Sequence, residues 1–353
     1  MTSLTRRALA AAGLAAAALP ARGQVTGKRP LVIAHRGASG QLPEHTLSCY
    51  LLAIQQGADY IEPDLVVTKD GILVARHENE ISATTDVGSK PNFARRKKTK
   101  TIDGKPVEGW FVEDFTLAEL KTLRARERLP NIRPANTKYD GNEAIPTFHQ
   151  IVELARTESA KARRTIGVYP EMKHPSYFRS IGLALEPRLA AALKTQSLDS
   201  RSSPVFVQSF EPEALRRFRR LSPVRRVQLI AAEGGPADQK GGRYADMLTP
   251  AGLKGIKAYA DGIGVELPLV LKLDDGALGP PTPLVGNAHA AGLQVHAWTV
   301  RAENHFLPAS LQRGTAPDAY GDVHSLLRAL YSAGVDGVFS DFPWVAVQVR
   351  GGK

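Results

Sequence analysis

The sequence predicts an α/β fold, a (β/α)8 TIM barrel with an inserted lobe after its second strand. Short β-branched runs alternate with amphipathic stretches as far as the C-terminus, there are eight such runs, and one long polar segment interrupts the alternation early. With 353 residues, 43% of them apolar, the chain can bury a large core, which excludes a disordered or fibrous protein. The strand runs are 31–34, 60–67, 165–169, 205–208, 226–230, 262–265, 294–299 and 337–340. Between them lie helical stretches at 46–56, 147–159, 181–195, 212–221, 250–260, 283–291 and 323–333, several opening with Thr or Pro and closing before Gly. A doubly wound sheet is the other α/β solution, but no GxGxxG follows the first run and eight strands exceed its need.

The interruption spans residues 79–146, rich in Gly, Pro, Asn and charge, with one helical stretch at 116–125. Insertions of that length in barrels are usually loops at the active end. Residues 232–244 and 301–321 are shorter versions of the same thing.

At the N-terminus, Arg6-Arg7 precedes an uncharged run from Ala8 to Leu19 and a small-residue exit, Ala21-Arg22-Gly23. This reads as an export signal over residues 1–23, of twin-arginine type by its Arg pair, and the run is too short to span a bilayer. Export implies a periplasmic or secreted protein. The formal net charge of +11 stays positive once Arg6, Arg7 and Arg22 are removed. Its one basic cluster, "ARRKKTK" from Ala94 to Lys100, has no interleaved aromatics and no nucleic-acid motif, so the charge suits small phosphate-bearing anions rather than nucleic acid. Cys49 is the only cysteine, which rules out an internal disulfide, and its apolar-periodic surroundings read as core.

In a β/α barrel, chemistry collects where strands end. The first run ends in "AHRG", with His35 and Arg36. The second, "IEPDL", places Glu62 and Asp64 two residues apart and so on one side of the strand. A turn signal, "TKDG", then leads to "ILVARHEN", a returning strand that brings His77 to the same mouth. The third run leads through "VYPEMKH" to Glu171 and Lys173. Glu62, Asp64 and Glu171 are hard oxygen donors without sulfur, a set for Ca2+ or Mg2+, with Ca2+ favoured outside the cell. The same carboxylates could instead pair with Arg36 and Lys173. His35 and His77 suit general acid–base work near neutral pH. A cation with Arg36 and Lys173 would neutralise the non-bridging oxygens of a phosphodiester, so phosphodiester cleavage is the reaction class indicated.

Taken together, "AHRGASGQLPEHT", "GADYIEPDLVVTKDGILVARHEN", "YPEMK", "ADGIG", "VHAWTVR" and "GVFSDFP" resemble, in that order, the glycerophosphodiester phosphodiesterase family, most closely its bacterial periplasmic branch, over residues 29–349. The resemblance implies a metal-dependent barrel that hydrolyses glycerophosphodiesters to an alcohol and sn-glycerol 3-phosphate. By motif position it implies Glu62, Asp64 and Glu171 as metal ligands, His35 and His77 as the acid–base pair, and Arg36 and Lys173 as phosphate contacts. Glu44 of "PEHT" fills a position beside substrate and metal, His45 stands where many relatives have Asn, and the inserted lobe would cover the site. Gln208, Trp298 and Phe342, also at strand ends, are candidates for a glycerol pocket. His296 and Asp341 are read as structural, and His174, His289, His305 and His324 fall outside the motifs.

Two other functions are compatible with these residues. One is a phospholipase D-like or sphingomyelinase-like enzyme on intact lipid, which would call for an exposed apolar rim. The other is a periplasmic protein that binds glycerophosphodiesters without cleaving them, which would not need both histidines. The oligomeric state is not written in the sequence.

Overall fold

The computed structural model describes residues 29–274 and 276–352, so the expected export signal at 1–23 lies outside the described residues. The barrel strands are β1 (Leu31–His35), β2 in two pieces (Tyr60–Glu62 and Asp64–Val67), β3 in two pieces (Gly167–Val168 and Glu171–Met172), β4 (Phe206–Ser209), β5 (Arg225–Ile230), β6 (Gly262–Glu266), β7 (Gln294–Val300) and β8 (Gly337–Ser340). Each pairs in parallel with the next, and β8 pairs back onto β1 with Ala34 opposite Ser340, so the ring closes.

The breaks in β2 and β3 fall at Pro63 and at Tyr169-Pro170. Proline has no N–H to give a ladder, but its carbonyl still accepts. Glu171 N–H donates to Pro63 at 2.9 Å and Gln208 N–H to Pro170 at 3.0 Å, which carries the pairing past both breaks.

Eight helices follow the strands: α1 (Leu47–Gln55), α2 (Phe148–Ala162), α3 (Leu185–Thr195), α4 (Pro212–Arg219), α5 (Pro250–Lys257), α6 (Leu284–Ala290), α7 (Val323–Ser332) and α8 (Pro343–Arg350). The expected Thr and Pro starts are present. Thr46 and Thr249 accept from backbone N–H groups of their first turns, and Thr147 forms a capping box with Gln150. Helix α8 is not among the helices read from the sequence.

Apolar residues between strands and helices form the main core. A second cluster inside the ring, Ile33, Tyr60, Tyr169, Phe206, Val227 and Phe339, fills the barrel. There Tyr169 stacks on Phe206 at 5.0 Å and its hydroxyl bonds to His296 Nδ1 at 2.7 Å. The interior is thus a packed floor beneath the strand ends.

Within the interruption at 79–146, the helix expected at 116–125 contracts to Leu117–Leu120. The chain leaves the helix because Ala125 bridges Thr85 and gives its N–H to Glu143 at 2.7 Å, so its backbone groups are used by the lobe. The lobe also contains a hairpin, Lys98–Ile102 with Lys105–Gly109, that was not read from the sequence. Asp103-Gly104 makes its turn, with φ of 48° and 80°, the two positive angles such a tight hairpin needs. A second hairpin, Leu271–Asp274 with Ala277–Pro281, follows β6. No helix among the described residues is long and apolar enough to cross a membrane.

Candidate active site

The site is assembled by sharp turns at strand ends. Beyond β1, Arg36 and Gly37 take φ of 60° and 93°. A Cβ on Gly37 would lie 2.7 Å from Cys49 Sγ and 2.8 Å from its backbone carbon, so only glycine fits there. This turn aims Arg36 across the barrel mouth. Its N–H donates to Glu62 Oε2 at 2.9 Å, its guanidinium donates to Glu44 at 2.9 Å, and Nε lies 3.3 Å from Asp64.

Glu62, Asp64 and Glu171 each offer an oxygen within 4.8 Å of the others, and all three residues are buried. Gln208 donates to Glu62 Oε1 at 3.0 Å, Lys173 Nζ lies 3.2 Å from Glu171, and His45 donates through Nε2 to Asp64 at 2.9 Å while accepting from the Tyr50 hydroxyl. Burial, together with Asp64 and Glu171, pushes the Glu62 carboxyl well above the usual carboxylate range. Burial, with Asp64 adding to it and Lys173 opposing, pushes Glu171 up to about 8. Asp64 goes the other way, because Lys173, His45 and Arg36 outweigh its burial. Burial favours the protonated form of two of these carboxylates in the cation-free protein, and three oxygen donors this close together fit a hard divalent cation.

His35 and His77 line the same small cavity, about 110 Å3, together with Arg36, Glu62, Glu171 and Lys173. That is roughly the room of three or four waters. His35 donates through Nδ1 to Asp341 at 2.6 Å, and His77 Nδ1 lies 3.0 Å from the Glu78 carboxylate, so each has Nε2 as its other ring nitrogen. Burial and the neighbouring Arg36 hold His35 down to about 4, and burial with Arg36 and Lys173 holds His77 down to about 3. Both imidazoles are therefore neutral at pH 7. A larger groove of about 980 Å3, between α1 and the segment around Pro134, gathers no comparable set of acid, base and cation-binding groups.

Of the residues read from the sequence, His35, Arg36, Glu62, His77, Glu171, Lys173, Gln208 and Trp298 line this cavity, and Asp64 joins the carboxylate cluster. Glu44 and Phe342 are placed elsewhere. Glu44 is not in the cavity wall; it binds Arg36 and Arg128, each at 2.9 Å, and so holds the guanidinium in place. Phe342 does not line the cavity either. Its ring fills the space where Gly40 lacks a Cβ and packs beside Tyr320, so no face is free for a glycerol. Gln208 directs its amide to Glu62, and its Oε1 has no hydrogen-bond partner among the described residues.

Asp341, read as structural from the sequence, receives His35, Arg133 at 2.6 Å and Arg301 at 3.0 Å. Its place at the end of β8 in "FSDFP" was the signal that could have found it. Arg133, from the inserted lobe, carried no such signal.

The sequence profile of the glycerophosphoryl diester phosphodiesterase family matches residues 35–345. A glycerophosphodiester phosphodiesterase of Arabidopsis thaliana is 35% identical over 326 residues, covering 89% of this chain and 84% of the relative. One from Haemophilus influenzae is 31% identical over 346 residues, covering 90% and 89%. Among solved structures, a glycerophosphodiester phosphodiesterase from Agrobacterium tumefaciens superposes with a TM-score of 0.58 at 19% identity, covering 90% of this chain and 99% of that one. An Oleispira antarctica phosphodiesterase solved with the product sn-glycerol-3-phosphate gives 0.59 at 24% identity, covering 91% and 97%. At those identities the structures speak for the barrel fold alone, while the profile and the relatives speak for descent. The chain belongs to the glycerophosphoryl diester phosphodiesterase family and is a phosphoric diester hydrolase.

Proposed function

We propose that the chain hydrolyses glycerophosphodiesters to sn-glycerol 3-phosphate and a free alcohol, with a divalent cation, Ca2+ before Mg2+, held by Glu62, Asp64 and Glu171. The observation that carries this reading is the convergence of two imidazoles, three basic side chains and two carboxylates on one small cavity, with the third carboxylate, Asp64, clustered beside them. When bound, the cation supplies positive charge for a phosphoryl oxygen. Arg36 and Lys173 bind the remaining phosphate oxygens and hold the phosphorus in line with the histidines. One neutral imidazole accepts the proton of the attacking nucleophile at Nε2. The other, protonated at Nε2 once the phosphodiester anion is bound, donates that proton to the departing alcohol oxygen as its bond to phosphorus breaks. A phosphodiester anion in the cavity raises the proton affinity of the imidazole facing it, which is what the acid requires.

The test is release of sn-glycerol 3-phosphate from glycerophosphocholine by the purified chain under excess chelator, then with Ca2+ or Mg2+ restored. Release that depends on the restored ion supports the reading; release of free glycerol, or none with any ion, overturns it.

A second reading, cleavage of a lipid, has one observation in its favour. An apolar cavity of about 190 Å3, lined by Leu267, Leu271, Leu278 and Phe306, shares Trp298 and Arg301 with the site. Turnover of a monoacyl glycerophosphodiester in the same assay would distinguish the two. We also propose export to the periplasm or medium, supported by Arg6-Arg7 and the run from Ala8 to Leu19. N-terminal sequencing of the mature protein tests this.

A further inference from the structure

His174 and Asp103 belong to no motif, yet the structure joins them to His77 through a contact at ion-pair distance to Glu78 and two hydrogen bonds beyond it. His77 Nδ1 lies 3.0 Å from Glu78 Oε1, close enough for an ion pair. The other oxygen, Glu78 Oε2, accepts from His174 Nε2 at 2.6 Å, and His174 donates through Nδ1 to Asp103 at 2.6 Å. The links come from separate elements. His77 and Glu78 follow the antiparallel strand Leu73–Ala75, His174 follows β3, and Asp103 is the tip of the inserted hairpin.

Both ring nitrogens of His174 face carboxylate oxygens, neither of which can donate when ionised, so the ring carries both protons and is a cation. In agreement, the hydrogen bonds to Asp103 and Glu78 outweigh burial and lift His174 to about 9. The side chain of Glu78 is 43% exposed. Without a second anchor it would exchange His77 for water. His174 supplies that anchor.

The arrangement repeats around His35. There too a carboxylate, Asp341, receives the imidazole and is itself held by basic groups, Arg133 and Arg301. In both cases the inserted lobe contributes a member, Arg133 in one and Asp103 in the other.

Resting on the acid–base role given above to His77, we propose that Glu78 and His174 are positioning residues for that imidazole, and that the inserted hairpin, through Asp103, completes the apparatus. A histidine that exchanges a proton at Nε2 works only when its tautomer and ring plane are fixed, and a carboxylate held 3.0 Å from Nδ1 favours the tautomer protonated there.

The test uses the full chain with Ca2+ and glycerophosphocholine, comparing Glu78→Gln, His174→Gln and Asp103→Asn. Asparagine tolerates the left-handed backbone of the hairpin tip, so the last variant removes charge while keeping the turn. Glu78→Gln should lower kcat about ten- to a hundredfold and the other two by smaller factors, with KM and Ca2+ affinity within about twofold of wild type. Unchanged kcat in Glu78→Gln overturns the inference. So does a common loss of kcat, Ca2+ affinity and melting temperature, which would assign a purely structural role. His77→Ala, measured alongside, separates the two levels: full activity there would sink the site reading itself, whereas its inactivation beside a normal Glu78→Gln would sink this inference only.

Discussion

His35 and Asp341 stand 306 positions apart in the chain, yet His35 Nδ1 and Asp341 Oδ1 are 2.6 Å apart. The carboxylate is held ionised, since Arg133 and Arg301 outweigh its burial. Replacing Asp341 with Asn keeps the shape but offers the imidazole an amide in place of an anion, so both its tautomer and its orientation become uncertain. Asp341→Asn should lower kcat by about tenfold to a thousandfold with cation affinity retained, as steady-state kinetics and calcium titration would report.

The carboxylate cluster and the histidines should separate by readout. Glu62→Gln removes a charged oxygen ligand and should weaken divalent-cation binding, seen in calorimetry as a raised Kd. His35→Ala should leave that Kd intact and lower turnover by about a hundredfold or more. Normal turnover in both variants would refute the site assignment.

The elevation of Glu171 to about 8 fixes the sign of a pH effect. Below that value the cation-free protein holds a proton on Glu171 that the cation must displace, so binding should strengthen as pH rises from 6 to 8, about tenfold in Kd per unit for one released proton. The same raised pKa means that the stability Glu171 contributes to the cation-free fold is fully present below its unfolded value of about 4.3 and lost as pH rises through about 8. Addition of Ca2+ should therefore raise Tm more at pH 8 than at pH 5.5. Equal shifts at the two pH values would contradict the assignment.

Gly37→Ala combines a φ of 93° with a new Cβ only 2.7 Å from Cys49 Sγ. It should cost about 2–4 kcal/mol of stability, read from the urea midpoint, and should displace Arg36 from Glu62.

How much of this was legible varied with distance along the chain. Glu62 and Asp64 could be assigned to one side of a strand because the two-residue alternation is local, and Thr46, Thr147 and Pro250 marked helix starts because a cap or a first-turn proline involves only neighbouring residues. The helix expected at 116–125 failed because Ala125 has a backbone partner in Glu143 that no local pattern announces. The hairpin at Asp103-Gly104 was within reach, its Asp-Gly turn being a recognised local signal, but the lysine-rich strands around it lack the apolar alternation of a half-buried sheet.

Phe342 and Glu44 show the same limit at the site. Both stand in motifs that belong to it, yet one packs beneath Gly40 and the other holds Arg36. A motif fixes which residues are near a site; the packing of third parties decides which of them face it.

The sequence by itself determined the alternation that builds a barrel and the strand-end residues that carry its chemistry, because strand period, helix caps and turn residues act over a few positions. Only the tertiary structure decided which carboxylate His35 meets and which groups hold the carboxylates of Asp341 and Glu78. Closing the ring pairs β1 with β8 and sets His35 beside Asp341, while packing the inserted lobe against the barrel brings Arg133 to Asp341 and Asp103 to His174. Those partners lie tens to hundreds of residues apart, where local periodicity holds no information and only the closed three-dimensional packing selects them.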